Sequence, residues 1–189
     1  MERCIPGTTL ESFIPLQDQK ATEICIQLMK KIYRPFAAAE FTEHLSDWLK
    51  ILYQEHALPK ALLKKAQKLA DTLLNDSDEN VVLHGDLHHG NILKCHDGYT
   101  IIDPKGIIGN RCYDMACFIR NPLKTVLDNP YLIPIRIQQF SHAFDIDILH
   151  LKQWCFVHGM ISACWKVENN QDPKDVLLFC DLIDSMMRG

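Results

Sequence analysis

The chain has 189 residues, 47% of them hydrophobic and 23% charged, with a formal net charge of −4. That apolar mass suffices for one compact core, and with no block of five or six like charges the footprint of a nucleic-acid binder is missing. No run of 18 apolar residues occurs and the opening decapeptide holds Glu2, Arg3, Pro6 and Gly7, so neither a membrane span nor a secretory leader is expected, and the chain reads as soluble and cytoplasmic.

After a turn-rich opening, Ile24, Leu28, Met29 and Ile32 recur at spacings of three and four and predict a helix over 18–33. The same periodicity predicts helices over Thr42 to Glu55, through Leu45, Trp48, Leu49 and Leu52, and over Leu58 to Leu74. Polar residues from Asn75 to Asn80 then precede Val81-Val82-Leu83, a run too short for a helix and read as a strand leading into His84. Segments Asn91 to Cys95 and Thr100 to Asp103 flank His96-Asp97-Gly98, whose Asp-Gly pair suits a tight hairpin. From Cys112 onward the pattern is helical, broken at Asn121-Pro122, with helices expected over Pro134 to Phe144, Ile146 to Glu168 and Lys174 to Met187. The expected class is therefore mainly α with a small β hairpin.

Eight cysteines are scattered without a C-x-x-C pair and mostly lie among apolar neighbours, which reads as reduced, buried thiols. Cys112, Cys117, Trp154 and Trp165 are expected in the core, and Asp172, Asp175, Asp181 and Asp184 on a solvated helix face.

The chemically informative run is His84-Gly85-Asp86-Leu87-His88-His89-Gly90-Asn91, followed by Asp103 in Ile102-Asp103-Pro104-Lys105-Gly106. Phosphoryl transfer needs a carboxylate to accept the proton of the attacking hydroxyl and oxygen ligands for a phosphate-bridging Mg²⁺. Asp86, Asn91 and Asp103 supply that set, and the step from Asp86 to Asn91 matches a kinase catalytic loop. Two other readings compete. His84, Asp86, His88 and His89 could be ligands of a binuclear hydrolase, although the further D-x-H and G-N-H clusters of such enzymes are missing; or these Asp and Asn residues could simply be turn formers.

The run His84 to Leu93 resembles the catalytic loop of the aminoglycoside phosphotransferase family, a branch of the protein-kinase-like fold. More narrowly, Ile102 to Gly106 with Gly109 and Tyr113-Asp114, then Asn121-Pro122 and Trp154 to Trp165, resembles the aminoglycoside/hydroxyurea resistance kinases. The resemblance implies a kinase-like carboxy-terminal lobe over 11–189, preceded by a hinge over 1–10. It implies an ATP- and Mg²⁺-dependent phosphotransferase acting on a small-molecule alcohol such as an aminoglycoside antibiotic. Asp86 would be the catalytic base, Asn91 and Asp103 metal and nucleotide ligands, Glu2 and Cys4 hinge contacts to the nucleotide, and His84 and Asp114 supports of the loop. The nucleotide-covering amino-terminal β lobe is expected to be missing ahead of the hinge, and no G-x-G-x-x-G run replaces it. Weak ATP binding, slow turnover and an exposed apolar face are expected in consequence, with a lobe-supplying partner or self-association. The alternative is a catalytically silent remnant or pseudokinase that retains binding alone.

Overall fold

A computed structural model describes residues 4–33, 43–75 and 80–188. The predicted first helix is α1, Asp18–Ile32, which buries Ala21, Ile24, Cys25, Leu28 and Met29 on one face. Helix α2, Leu45–Leu49, is shorter than its apolar spacing suggests and passes into a 3₁₀ turn, Lys50–Tyr53. Winding at three residues per turn stacks Leu49 over Leu52, and both are buried to about 1% exposure or less. The predicted start of that helix, Thr42, lies outside the described residues.

Helix α3, Lys60–Asn75, leads to β1, Asn80–Leu83, the strand expected before His84. A 3₁₀ turn, His89–Asn91, then precedes the hairpin of β2, Ile92–Cys95, and β3, Gly98–Ile101, paired antiparallel with Cys95 opposite Gly98. Asp103 therefore lies two residues beyond β3 rather than at its end. Strand β4, Ile107–Asn110, was not predicted; it pairs antiparallel with β1, Leu83 opposite Ile107. Its Gly109 faces α2, where an added Cβ would come within 2.6 Å of the Leu45 Cβ, so glycine there lets helix and strand touch.

The remaining chain is helical: α4, Cys112–Arg120; α5, Leu123–Asp128; α6, Leu132–Phe144, with Pro134 tolerated in its first turn; α7, Ile148–Glu168; and α8, Lys174–Arg188. Every residue of α7 from Trp154 to Ile161 is buried, as expected of a helix surrounded by others, and α3, α4, α6 and α8 pack around it. Among the described residues no helix is long and apolar enough to cross a membrane. Two expectations about individual residues change. Asp184 is 8% exposed and pairs with Lys65 and Arg188 instead of facing water. Trp165 is only partly buried, unlike Trp154, which is in the core.

Arg136 ties the two ends of this helical layer together. Fully buried, it donates Nη2 to Asp18 Oδ1 at 2.5 Å and Nη1 to the carbonyls of Phe118, Ile119 and Asn121 at 3.1, 2.9 and 2.7 Å. The guanidinium thus caps the carboxy-terminal end of α4 and pins α1 to α6. Substituting Asp18→Ala strands a buried positive charge and is expected to cost about 3 to 5 kcal/mol, read as a fall in the urea midpoint.

Two buried imidazoles add a pH dependence. His89 stacks on the Phe118 ring with centroids 3.8 Å apart and neither ring nitrogen has a partner, while His158 accepts from Arg120 Nε at 3.3 Å. Burial first, then Arg136 and His88 for His89 and Arg120 for His158, hold both well below the usual imidazole range. Below about pH 6.5 the unfolded chain binds protons that the folded chain refuses, so stability is full near neutrality and falls with acidification. Chemical unfolding at pH 7 and pH 5.5 should show this loss, with a slope of up to ~1.4 kcal/mol per pH unit for each histidine, and His89→Phe should remove its share.

Candidate active site

Strand β1 delivers the chain to the corner His84-Gly85-Asp86, which is held from below by one carboxylate. Asp114, fully buried in the first turn of α4, accepts the backbone N–H of His84 on Oδ2 and of Gly85 on Oδ1, each at 2.8 Å. The Tyr33 hydroxyl donates to Oδ2 at 3.1 Å. Burial pushes the Asp114 pKa up, against the pull of these donors, so the carboxylate is held by hydrogen bonds rather than by solvent. Gly85 turns the corner at φ +82°, and a Cβ there would meet Lys105 at 3.0 Å and the Trp48 ring at 3.2 Å, so this position admits glycine alone.

The His84 imidazole joins the loop to the hairpin. Its Nδ1 accepts from the Asp86 N–H at 3.1 Å, which assigns the proton to Nε2, and Nε2 donates to the Ile102 carbonyl at 2.8 Å. On the other side of the loop, Asn91 Nδ2 donates to the Asp86 carbonyl at 2.9 Å, leaving its oxygen as an acceptor. The Asn91 carbonyl receives the Ile102 N–H at 3.0 Å, and the His84 carbonyl receives the Lys105 N–H at 2.7 Å. Asp86, Asn91 and the segment bearing Asp103 are therefore tied into one hydrogen-bonded circuit.

Within that circuit Asp103 sits in the left-handed backbone region, φ 58°, uncommon for a residue with a side chain. Its exposed carboxylate pairs with Lys105 Nζ at 2.7 Å, and this bond holds the Asp103 pKa down and raises that of Lys105. Asp86 is half-buried. Its Oδ2 faces His88 Nε2 at 3.7 Å, and the buried Cys117 thiol lies 3.8 Å from its Oδ1. His88 Nδ1 accepts from the Gly90 N–H at 3.0 Å, so the ring proton is on Nε2, directed to the carboxylate. One carboxamide oxygen and one carboxylate are hard donors of the kind Mg²⁺ takes when phosphate oxygens and water complete its shell.

The histidines of the run do not assemble a metal cluster. His84 and His88 spend ring nitrogens on the backbone, His89 points into the core, and among the described residues no group of three or more His, Cys, Asp or Glu side chains gathers to hold a metal.

Beside Asp86 opens a cavity of about 290 Å³, into which Lys105, Trp48, Tyr113, Arg120 and Trp165 project. Trp48 meets Tyr113 and Trp165 edge to face, with ring centroids 5.9 and 5.5 Å apart. Neither Trp48 on α2 nor Arg120 at the end of α4 stands out in the sequence, because no local pattern joins the two elements; Tyr113, also on α4, enters only through the Tyr113-Asp114 resemblance. On the far side of the hairpin a second cavity of about 480 Å³ is lined by Cys4, Ile5, Cys95, Tyr99 and Ile102. Here the Cys4 and Cys95 sulfurs approach to 2.7 Å, and both residues are half-buried rather than in the core. Of the expected nucleotide contacts, Cys4 thus lies at the hairpin, away from Asp86, and Glu2 lies outside the described residues. The thiols of Cys25, Cys112, Cys117, Cys155 and Cys180 are raised in pKa by burial, that of Cys112 to about 12.

A family model described as aminoglycoside/hydroxyurea antibiotic resistance kinase matches residues 1–170. Streptomycin 3''-kinase of Klebsiella pneumoniae is 35% identical over 158 residues, covering 79% of this chain and 58% of that protein. Methylthioribose kinase of Geobacillus thermodenitrificans (strain NG80-2) is 33% identical over 106 residues, 56% of this chain and 24% of its own length. The chain thus spans little more than half of one of these relatives and a quarter of the other. Among solved structures, a thermostable mutant of aminoglycoside phosphotransferase APH(4)-Ia superposes with a TM-score of 0.67 at 14% identity, over 99% of this chain and 70% of that one. A ternary complex of such a mutant with ADP and hygromycin B gives 0.66 at 15% identity, over 96% and 68%. These superpositions show the kinase-like fold.

Replacing Asp114 by alanine leaves the amides of His84 and Gly85 and the Tyr33 hydroxyl unpaired. The expected cost is about 3 to 5 kcal/mol in chemical unfolding, with loss of hydrogen-exchange protection concentrated at the His84 and Gly85 amides.

Proposed function

The chain belongs to the aminoglycoside/hydroxyurea antibiotic resistance kinase family, and from that footing we propose that it transfers the γ-phosphoryl group of ATP to an alcohol on a small molecule, with Asp86 as the base. The observation that carries this reading is the hydrogen-bonded circuit through His84 and Asn91, which sets Asp86, Asn91 and Asp103 around one end of the hairpin. Asp86 accepts the proton of the acceptor hydroxyl as that oxygen attacks phosphorus. His88 Nε2–H lies 3.7 Å from the second carboxylate oxygen, on the side of Asp86 turned toward the 3₁₀ turn. His84 acts through the backbone, fixing the height of Asp86 against Ile102.

Asn91 and Asp103 would hold Mg²⁺, which when bound neutralises charge developing on the phosphates. Asp103, in the left-handed backbone region, has an exposed carboxylate that pairs with Lys105, and a metal bound there would compete with that pair. The groove bounded by Cys4, Ile5, Tyr99 and Ile102 suits the nucleotide base. The acceptor occupies the cavity of Trp48 and Trp165 beside Asp86. In this reading residues 1–10 are the hinge, 11–189 the catalytic lobe and the reaction a cytoplasmic one, a reading the free cysteine thiols support. In the same reading the described residues, which hold the base and metal-ligand candidates, bind ATP weakly by themselves and gain affinity from a partner lobe or a second copy.

The test is ATP-dependent phosphorylation of an acceptor panel, with the chain alone and with the amino-terminal β lobe of a full-length relative supplied. Asp86→Asn should lower kcat by about 10²- to 10⁴-fold with folding intact, and Asp103→Asn should raise the Mg²⁺ requirement. Wild-type turnover by Asp86→Asn would remove the reading. A folded wild-type chain that never turns over, lobe or no lobe, would favour a silent binding module.

A further inference from the structure

We propose that Cys4 and Cys95 form a thiol pair that hydrogen peroxide closes into a reversible disulfide, clamping the amino-terminal segment to the hairpin. The inference does not depend on the reading of Asp86 as the base.

The other cysteines of the chain are packed inside. Cys25, Cys112, Cys117, Cys155, Cys164 and Cys180 are buried, and burial raises the pKa of each. Peroxide reacts with the thiolate, so these six are poor targets in both access and ionisation. Cys4 and Cys95 are half-buried instead, and both stand in the wall of the cavity of about 480 Å³ beside the hairpin. Their sulfurs are 2.7 Å apart. A disulfide sets its sulfurs about 2.05 Å apart, so the bond needs a shift of side chains and no new path of the backbone.

The backbone builds this approach. The Gly7 N–H donates to the Lys94 carbonyl at 3.0 Å, the Lys94 N–H donates to the Thr8 carbonyl at 2.8 Å, and Thr9 pairs with Leu93 as an antiparallel bridge. Residues 7–9 thus run along the edge of β2 that β3 leaves open, and Cys4 arrives beside the last residue of β2. Across the hairpin Cys95 stands opposite Gly98, where an added Cβ would meet nothing within 4 Å. Its hairpin partner therefore carries no side chain to hold the Cys95 sulfur away from Cys4. Two thiols held together in this way react as an intramolecular pair, with the ordering already supplied by the fold.

With peroxide as oxidant the step balances. One thiolate attacks a peroxide oxygen, the O–O bond breaks, and the sulfur becomes a sulfenic acid while hydroxide leaves and takes up the first thiol's proton as water. The second sulfur then displaces the sulfenic hydroxyl, which leaves as water with the second thiol's proton. The two sulfurs together lose two electrons and one peroxide is reduced to two waters. A dithiol such as dithiothreitol reverses the bond by exchange and ends as its own cyclic disulfide. Since 91 positions separate the two cysteines, the bond restricts the unfolded chain far more than the folded one, where pairing with β2 already holds the segment.

The whole chain, fully reduced and then freed of reductant, is treated with a small excess of hydrogen peroxide and followed by intact mass, by peptide mapping without reductant and by thermal melting. The mass should fall by two hydrogens, the map should show a peptide pair linked through Cys4 and Cys95, and the melting midpoint should rise by about 5 to 15 °C. Dithiothreitol should return all three to their starting values. Cys4→Ser and Cys95→Ser, each melting with the reduced wild-type chain, should show neither the mass loss nor the rise. No reaction, a link through any of the six buried cysteines, sulfinic acid or disulfide-linked dimers in place of the Cys4–Cys95 bond, or a bond that leaves the midpoint unmoved would overturn the proposal. None of these measurements uses ATP or Asp86, so the thiol pair and the phosphotransferase reading can fall separately.

Discussion

Everything about the loop that follows β1 depends on one buried carboxylate. Asp114 takes two consecutive backbone amides, His84 and Gly85, and the Tyr33 hydroxyl, and so fixes where β1 ends and in which direction the loop departs. Two adjacent N–H groups can converge on one carboxylate only if the chain turns sharply, and Gly85 at positive φ provides the turn. Because Asp114 sits on α4, which packs against the central helix α7, the loop is referenced to the most deeply buried part of the molecule.

From that anchor, order passes outward through backbone groups rather than through the side chains of Asp86 and Asp103. His84 and Asn91 use their hydrogen bonds on the Asp86 amide, the Asp86 carbonyl and the Ile102 carbonyl. The carboxylates of Asp86 and Asp103 are left with only weak or exposed partners: His88 at 3.7 Å for one, Lys105 near the surface for the other. Rigid backbone with uncommitted carboxylates is the arrangement a phosphoryl-transfer site requires, since its groups must meet a metal, a phosphate and a hydroxyl in turn.

The charges of the helical layer divide into two kinds. Arg136 and Asp18 are mutually satisfied and hold helices together, as Asp184 does with Lys65 and Arg188. Arg120 has the same side chain as Arg136 but donates Nε to His158 and lines the cavity that Asp86 also faces. The difference lies in what the neighbouring helix offers: α1 brings an acid to Arg136, whereas α7 brings a neutral imidazole to Arg120.

How much of this was legible in the residues follows from the range of the forces. The loop from His84 to Asn91, the hairpin and the long helices were readable because hydrogen bonding within a few residues and periodic burial leave local patterns. His84 and Asp114 were singled out through family resemblance and not by a local pattern, since 30 positions separate them. Strand β4 was missed because a four-residue strand acquires its identity only from its partner β1, and α2 was overextended because its tightened end answers to packing. Asp18 meeting Arg136 across 118 positions, Trp165 turning to a cavity instead of the core, and Arg120 sharing that cavity with Asp86 are invisible locally. By itself the sequence determined which groups could do chemistry and how the loop bearing them bends, since those depend on neighbours along the chain. Only the tertiary structure decided which charges are neutralised and which remain open to a ligand, because that depends on what distant helices bring alongside.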